Sequence, residues 1–268
     1  MIGKSYAHFP VRTGLEAVRS RIAAAAAAAG RKAEDVELIA VSKAFPPLAI
    51  HAAAVCGQRA FGENYAQEAV EKITALGAGL NEARRTPIRA APDDEDATVS
   101  FETRERLDLE WHFIGPIQSN KTKLLAEYFQ WVQSIDRVTV ATRLSDQRPL
   151  RLPPLQVCIQ VNVSGETSKS GVDPSALLAL ARRIEALPRL QLRGLMAIPE
   201  PSSDADVLRR QFGLLRELRD ELLTHGLALD TLSMGMSDDL ELAIAEGATM
   251  VRIGRAIFGD RPRKRRAE

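Results

Sequence analysis

The sequence predicts an α/β protein, a single (β/α)8 (TIM) barrel with an extra helix before the first strand. Its 268 residues are close to the ~250 residues typical of such a barrel. Short apolar segments alternate with segments of helical periodicity along the chain, which favours parallel strands joined by right-handed crossovers. With 45% hydrophobic residues, the chain can form a core that needs no disulfide or structural metal.

The first helix and the first strand are the most clearly patterned elements. Residues 11–29 place Leu15, Val18 and Ile22 on one helical face, and Gly30 is a typical helix stop. Residues 38–42 begin with four consecutive apolar residues, the pattern of a strand buried on both faces. The alanine-rich run 22–29 is too short to cross a bilayer.

The later elements continue the alternation. Asp173 and Pro174 are a typical helix start, and Ser237 is the predicted cap of another helix. The second and fourth strands are the weakest, which leaves a doubly wound open sheet as the alternative to a barrel. The predicted strands are 59–61, 110–114, 131–134, 155–163, within 192–198, 231–234 and 250–253. The other predicted helices are 48–55, 66–76, 119–128, 137–144, 205–225 and 255–258.

Two segments lack this periodicity. Between Gly77 and Asp108 the chain carries scattered glycines and prolines and the acidic run 93–96, and we expect a disordered insertion there. Residues 261–268 form a basic tail that we expect to be frayed. The predicted domain is therefore a barrel over residues 1–260 followed by this tail.

Charge and cysteine content limit the partners. The net charge of +1 gives no global field for nucleic acid or a membrane surface. Cys56 and Cys158 lie in apolar segments and are interpreted as buried thiols in a reducing compartment. No signal peptide is evident, so we expect a cytoplasmic protein, and the four histidines show no metal-ligand spacing.

The carboxyl ends of the strands share one face of a barrel, and this face is where such folds place their chemistry. Lys43 follows the first buried strand, between apolar Val41 and Phe45. Partial burial lowers the pKa of an amine and makes it a Schiff-base nucleophile toward an aldehyde, whereas the alternative is an ordinary surface lysine. The residues predicted on this face are Lys43, Asn64, His112, Ser134, Asn162, Met196, Ser237 and Gly254.

Two glycine motifs predict an anion pocket. Residues 234–237 (MGMS) and 252–255 (RIGR) each place a glycine between a strand end and a helix start. Barrels often bind phosphate after strands 7 and 8, through backbone N–H groups at helix starts. The alternative is two ordinary turn glycines and a capping serine. Asp238 and Asp239 would oppose an anion, so we expect both to face solvent in the first helical turn.

Three further residues have two interpretations each. Arg252 alternates with Val251 and Ile253, so it points into the barrel, toward the ring nitrogen of a pyridine cofactor or in a salt bridge with Glu63. Asn64 either hydrogen-bonds a ligand or caps the helix that begins near residue 66. His112 is either a mouth residue or a core histidine with satisfied hydrogen bonds.

Eight segments together carry a family resemblance. They are AVSK, FGENYAQE, EWHFIGPIQSNK, QSIDR, SKSGV, LRGLMAIP, SMGMSDDLELAI and VRIGRAIFG. In this order they resemble the YggS/PROSC family of pyridoxal-phosphate homeostasis proteins, and they cover nearly the whole chain outside residues 77–108 and the tail. The chain is similar, more distantly, to the amino-terminal barrel of alanine racemases.

The resemblance implies pyridoxal 5'-phosphate held as a Schiff base on Lys43, with Arg252 near the pyridine nitrogen. It implies a role in intracellular cofactor homeostasis without established catalysis, with cofactor-dependent apoenzymes as candidate partners, and we expect a monomer. The phosphate would lie near Ser233, Ser237, Gly254 and Arg255.

Two other functions remain as alternatives. The first is a pyridoxal-phosphate-dependent amino-acid racemase or decarboxylase. Racemisation needs an acid or base on each face of the substrate, and in alanine racemases the second is a tyrosine from a further domain. Here Tyr6, Tyr65 and Tyr128 are not predicted at strand ends, so we do not expect a complete racemase. The second alternative is a cofactor-free Schiff-base lyase of the aldolase type.

Overall fold

A computed structural model describes residues 10–77, 108–165 and 170–260 of the chain. Its eight strands form a closed barrel in which each strand pairs with the next one in sequence. The pairing is parallel throughout, and the last strand closes on the first from Glu37 opposite Met250 to Ala40 opposite Ile253. The (β/α)8 prediction is confirmed, and the open-sheet alternative is wrong.

The strands are short and differ from the predicted bounds at a few ends. The second strand continues to Glu63, because all four of its residues pair with the third strand. The fifth ends at Gln160, since beyond it Val161 forms only an isolated bridge with Val172. The strands are β1 Glu37–Val41, β2 Ala60–Glu63, β3 Glu110–Phe113, β4 Trp131–Ile135, β5 Leu155–Gln160, β6 Leu190–Met196, β7 Thr231–Ser233 and β8 Met250–Ile253.

The helices surround the barrel, and the leading helix packs against those that follow β7 and β8. Its buried residues include Leu15, Val18 and Ile22, as the spacing predicts. Gly14 lies so close to the last helix that a Cβ there would be 2.5 Å from the carbonyl oxygen of Ala256. The helices are α1 Val11–Ala28, α2 Pro47–Val55, α3 Ala66–Gly77, α4 Thr122–Tyr128, α5 Val138–Gln147, α6 Leu177–Glu185, α7 Ala205–Thr224, α8 Leu240–Ala245 and α9 Arg255–Phe258.

The core has an outer layer between strands and helices and a smaller layer inside the barrel. The inner apolar layer consists of Ile39, Ala60, Trp131, Cys158, Met196 and Met250. Cys158 is fully buried, and burial raises the pKa of its thiol to about 12. Cys56 is only partly buried, so the prediction of two buried thiols holds for Cys158 alone.

Two sequence predictions fall outside the described residues. Most of the expected insertion, residues 78–107, and the basic tail, residues 261–268, are among the undescribed parts of the chain. Within the described ranges, no helix is both long enough and apolar enough to cross a membrane.

Candidate functional site

Lys43 lies in the turn that joins β1 to α2, at the carboxyl-terminal mouth of the barrel. Its side chain is half-buried. The N–H of Ser42 still follows the β1–β2 ladder and donates to the carbonyl of Gly62 at 3.0 Å. On the other side, the N–H of Phe45 donates to the carbonyl of Ser42 at 3.1 Å, and the Phe45 ring packs 5.1 Å from that of Phe258. The turn that carries the amine is therefore anchored at both ends.

Behind this turn lies a buried ion-pair network, which we call the Lys72 network: Lys72, Glu63, Glu68 and Ser42. The ammonium nitrogen of Lys72 is 2.7 Å from Oε1 of Glu63 and 2.7 Å from Oε1 of Glu68. It also donates to the carbonyl of Ser42 at 2.9 Å, which uses its three protons. The Ser42 hydroxyl donates to Glu63 at 2.7 Å, and the N–H of Ala44 donates to Glu68 at 2.6 Å.

The Lys72 network holds both residues that flank Lys43 in sequence. Lys72 is 5% exposed and Glu63 is fully buried. Burial raises the pKa of the Glu63 carboxyl, while Lys72 and the Ser42 hydroxyl act in the opposite direction. Sequence reasoning missed Lys72, although α3 places it three residues after buried Ala69 on its inner face.

Ala44 has the left-handed conformation, with a φ of 67°. An L-residue in this region is strained, whereas glycine adopts it freely. We therefore expect Ala44→Gly to raise the free energy of unfolding by about 0.5–1 kcal/mol. Denaturant titration of the purified variant measures this change. A loss of stability would mean that the Ala44 methyl group contributes more than the strain costs.

Arg252 points into the barrel from β8 and is 4% exposed. Its Nη1 donates to the hydroxyl of Ser233 at 2.7 Å and its Nη2 to the carbonyl of Ala197 at 2.8 Å. Glu63 is paired with Lys72, so the alternative of an Arg252–Glu63 salt bridge is wrong. Burial lowers the pKa of Arg252 to about 10, and the nearby charge of Asp239 opposes that shift.

Ser233 lies beside Arg252, deep in the barrel, and is fully buried. Its hydroxyl accepts from Arg252 and donates to Oε1 of Gln133 at 2.6 Å. Both contacts are buried inside the barrel. The structure therefore places Ser233 in direct contact with the guanidinium in the barrel interior.

Two glycine turns line the mouth next to β1. Gly235 has a φ of 97°, and a Cβ there would be 2.7 Å from the Cβ of Ala243. A Cβ on Gly254 would be 3.2 Å from the carbonyl oxygen of Val41, so a side chain there would press against the end of β1. Half-buried Ser237 accepts a hydrogen bond from Arg21 through its backbone carbonyl at 2.9 Å. Arg255 is largely exposed.

Asp239 departs from the sequence prediction. It is 7% exposed and is the residue before α8, with Oδ1 accepting from the N–H of Met236 at 2.5 Å. Burial raises the pKa of its carboxyl. The solvent-facing prediction is thus wrong for Asp239 and right for exposed Asp238. The helix begins at Leu240, so Ser237 lies in the preceding loop and does not cap it.

Asn64 carries a buried polar atom without a partner. Val41 pairs with Gly62, so continuing the register places Asn64 level with Lys43 on the neighbouring strand end. Its Oδ1 is buried and accepts no hydrogen bond within the described residues. A cap would accept an N–H bond from the helix, so the cap interpretation is wrong. An unsatisfied buried acceptor at the mouth favours the ligand interpretation.

His112 lies within β3 and not at its end, which corrects the expectation of a mouth residue. It is fully buried, with Nε2 2.8 Å from Glu110 and Nδ1 3.0 Å from the Gln133 amide. The core-histidine alternative is therefore confirmed. Glu37, Glu110 and His112 have possible ligand atoms within 4.8 Å of one another, but both ring nitrogens of His112 already have hydrogen-bond partners.

The remaining predicted strand-end residues have structural partners. The Ser134 hydroxyl donates to the carbonyl of Gly115 at 2.5 Å, and Met196 is part of the inner apolar layer. Asn162 is half-buried and accepts from the Ser164 hydroxyl at 3.0 Å. The site residues that the fold brings together are therefore Lys43, Asn64 and Gly254 at the mouth, with Arg252 below them in β8.

Comparisons with known proteins identify the family. The family model described as the N-terminal domain of alanine racemase matches residues 14–262. The pyridoxal phosphate homeostasis protein of Pseudomonas aeruginosa is 53% identical and that of Escherichia coli 49%; the matches cover 91% and 92% of this chain and 93% and 95% of the relatives.

A solved structure gives the same result. PipY of Synechococcus elongatus, described with pyridoxal phosphate bound, is 33% identical, with a TM-score of 0.73. The match covers 93% of this chain and all of PipY. The family resemblance seen in the sequence is thereby confirmed. The chain belongs to the pyridoxal phosphate homeostasis protein family, and its barrel is of the alanine racemase N-terminal domain type.

Proposed function

We propose that this chain binds pyridoxal 5'-phosphate at the barrel mouth through Lys43 and takes part in homeostasis of that cofactor. The observation that carries the proposal is the meeting, at one strand-end face, of a half-buried lysine, an unsatisfied buried amide oxygen and two tightly packed glycine turns. Two pyridoxal phosphate homeostasis proteins that are 53% and 49% identical in sequence, and the structure of PipY with pyridoxal phosphate bound, support it.

The residues present fit the chemical groups of this ligand. When bound, pyridoxal 5'-phosphate supplies an aldehyde that condenses with an amine, a ring nitrogen that accepts a hydrogen bond, and a phosphate. Lys43 offers the amine and Arg252 a buried donor. The backbone turns at Gly235 and Gly254, with Ser237 and Arg255 beside them, would hold the phosphate. The unsatisfied Oδ1 of Asn64 would gain a donor on the ligand.

Arg252 also bears on the question of catalysis. A guanidinium at the ring nitrogen donates a hydrogen bond but does not protonate that nitrogen. The ring is then a weaker electron sink than a pyridinium paired with a carboxylate. Tyr65 follows Asn64 in the β2–α3 loop, nearer the mouth than the sequence predicted, and its side chain is 59% exposed. Tyr128 is on outer helix α4. We therefore propose a binding protein and not an amino-acid racemase or decarboxylase.

The test is covalent mapping of the cofactor. We expect the purified protein, loaded with pyridoxal phosphate, to be yellow and to give, after borohydride reduction, a pyridoxyl adduct on the peptide that carries Lys43. Lys43→Ala should lose the adduct and keep the far-ultraviolet circular dichroism of the wild type, because the side chain is only half-buried. Lys123→Ala, at an exposed lysine of α4, is the matched control and should keep both.

The alternatives predict different results in the same experiment. An amino-acid racemase or decarboxylase would form product from added amino acids. An aldolase-type lyase would stay colourless with the cofactor and would be trapped by borohydride only with a carbonyl substrate. An adduct that persists in Lys43→Ala would contradict the assignment of Lys43.

The wider role rests on the family. We propose that residues 1–260 are the cofactor-binding domain, that the protein acts as a monomer in the cytoplasm, and that its partners are apoenzymes that receive the cofactor. Size-exclusion chromatography with light scattering tests whether the protein is a monomer. Transfer from the loaded protein to an apo-aminotransferase, followed as regained activity, tests the partner class.

A further inference from the structure

A line of hydrogen bonds crosses the barrel interior from Arg252 to Glu110. Arg252 Nη1 is 2.7 Å from the Ser233 hydroxyl, which is 2.6 Å from Oε1 of Gln133. The Gln133 amide nitrogen is 3.0 Å from Nδ1 of His112, and Nε2 of His112 is 2.8 Å from Oε1 of Glu110. The line joins four strands, β8, β7, β4 and β3, and reaches toward the opposite end of the barrel.

The two ends of this line fix the direction of every bond in it. A guanidinium can only donate, so the Ser233 oxygen accepts from Arg252 and its hydrogen goes to Gln133 Oε1. The amide nitrogen of Gln133 must then donate to Nδ1 of His112. This leaves the proton of His112 on Nε2, where it is donated to the carboxylate of Glu110. Each of the three middle residues, Ser233, Gln133 and His112, accepts a hydrogen bond from one neighbour in the line and donates one to the next.

Because these hydrogen-bonded residues are buried, they restrict the orientation of the Arg252 guanidinium. Ser233, Gln133 and His112 are fully buried, and the His112 ring stacks on Trp131 at 5.4 Å. A fully satisfied buried network restricts its members to one rotamer each. With Nη2 of Arg252 held by the carbonyl of Ala197, the contact to Ser233 supplies the second anchor that fixes the plane of the guanidinium.

We propose that Ser233, Gln133, His112 and Glu110 form a directional relay whose role is to position Arg252 as a hydrogen-bond donor to the ring nitrogen of the bound cofactor. The proposal rests on the proposed function and extends it to residues outside the mouth. It makes Ser233 a positioning residue for the ring end of the cofactor and not a phosphate ligand. Gln133, the first residue of the QSIDR segment, is the central positioning residue.

Position 133 needs an amide. Only an amide offers an acceptor to Ser233 at one atom and a donor to His112 at the other. Methionine fills a similar volume and does neither. Gln133→Met therefore breaks the relay in its middle, and Ser233→Ala breaks it next to Arg252 with a smaller change.

The experiment compares Gln133→Met, Ser233→Ala and the double variant as loaded proteins. Pyridoxal phosphate labelled with ¹⁵N in the ring reports the hydrogen bond at that nitrogen, and equilibrium titration reports affinity. We expect a downfield ring ¹⁵N shift and a roughly tenfold weaker affinity in each single variant. Because both substitutions break one relay, the double variant should lose little more than either single variant.

Gln58→Met is the matched control. Gln58 is also a buried glutamine, and its amide donates to the carbonyls of Leu38 at 2.7 Å and Ala60 at 2.8 Å, at the far end of the barrel. It should lose stability but keep the wild-type ¹⁵N shift and affinity. A general loosening of the barrel would instead change the cofactor signals in this control as much as in Gln133→Met, which would overturn the proposal.

The remaining outcomes distinguish a failure of the relay proposal from a failure of the proposed function. A wild-type protein without a Lys43 adduct contradicts the proposed function and the relay together. A wild-type protein with the adduct, and wild-type ring shift and affinity in Ser233→Ala, contradicts the relay alone. Ser233→Ala decides the question if Gln133→Met does not fold, because the smaller change leaves the His112 and Glu110 contacts in place.

Discussion

Replacing Lys72 with methionine is expected to lower the free energy of unfolding by about 3–5 kcal/mol, the cost of leaving a buried charge without its partner. Glu63 is fully buried, and Lys72 is the cation that contacts it at 2.7 Å. Methionine keeps the packing volume of the stem but removes the ion pairs and the hydrogen bond to the Ser42 carbonyl. Urea titration of wild type and variant measures the difference.

The effect should depend on pH. Burial raises the pKa of Glu63 even in the presence of Lys72, and removing the cation raises this pKa further. A carboxyl whose folded pKa lies above its unfolded value destabilises the fold when ionised, and this penalty is absent below the unfolded pKa. The stability difference between Lys72→Met and wild type should therefore shrink as the pH falls toward 4.5, the ordinary value of Glu63.

Lys123→Met is the control for this prediction. Lys123 is 73% exposed and lies 3.9 Å from Glu127 on the surface of α4. An exposed pair of this kind contributes about 0–1 kcal/mol, so the control should stay close to wild type. Equal stabilities of the Lys72 and Lys123 variants would contradict the view that the Lys72 network supports the turn that carries Lys43.

Gly194→Ala is expected to cost about 3 kcal/mol or more, or to prevent folding. A Cβ at this position would lie 1.8 Å from the carbonyl oxygen of Thr231 and 2.6 Å from its carbonyl carbon. Both residues are paired across β6 and β7, so neither backbone can move without breaking the ladder. Strand separation there would also displace Ala197 and Ser233, the two contacts of Arg252.

For a second glycine, Gly213, substitution by alanine is expected to raise stability instead of lowering it. Gly213 lies inside helix α7, and the nearest atom to a Cβ there would be 3.5 Å away. Gly213→Ala should therefore stabilise the protein by about 0.5–1 kcal/mol, the difference in helix propensity. Thermal and denaturant unfolding of the two variants measure the expected loss of stability in Gly194→Ala and the expected gain in Gly213→Ala. A stable, wild-type-like Gly194→Ala protein would show that β6 and β7 are farther apart than described.

The features that depend on strand and helix period could be predicted from the sequence. A period of two along a strand places Arg252 inside the barrel, and the parallel order places Lys43 and Gly254 on one face. These predictions need only local pattern and chain order. The ligand class could be predicted only from the segments that resemble the family, because strand and helix periodicity carries no information about it.

The buried polar partners could not be predicted in this way. Lysine is among the residue types least expected in a core, so the sequence does not single out Lys72 although its position on α3 faces inward. Gln133 and Ser233 are 100 residues apart in sequence, and their contact follows from barrel closure and not from spacing. The sequence predicts a solvent-facing Asp239 because an acid opposes an anion, but the hydrogen bond from the Met236 N–H to its carboxylate holds it in a buried position.

The closure of β8 on β1 has a consequence for the order of events in folding. Lys43 directly follows β1, the first strand of the barrel to be synthesised, whereas Gly254, which packs against the end of β1, follows β8, the last strand. Contacts of such long sequence separation form late, because the entropy of closing the whole chain must be overcome first. A nascent chain therefore carries the amine long before it carries the pocket, and a ligand that binds the pocket selects chains whose barrel has closed.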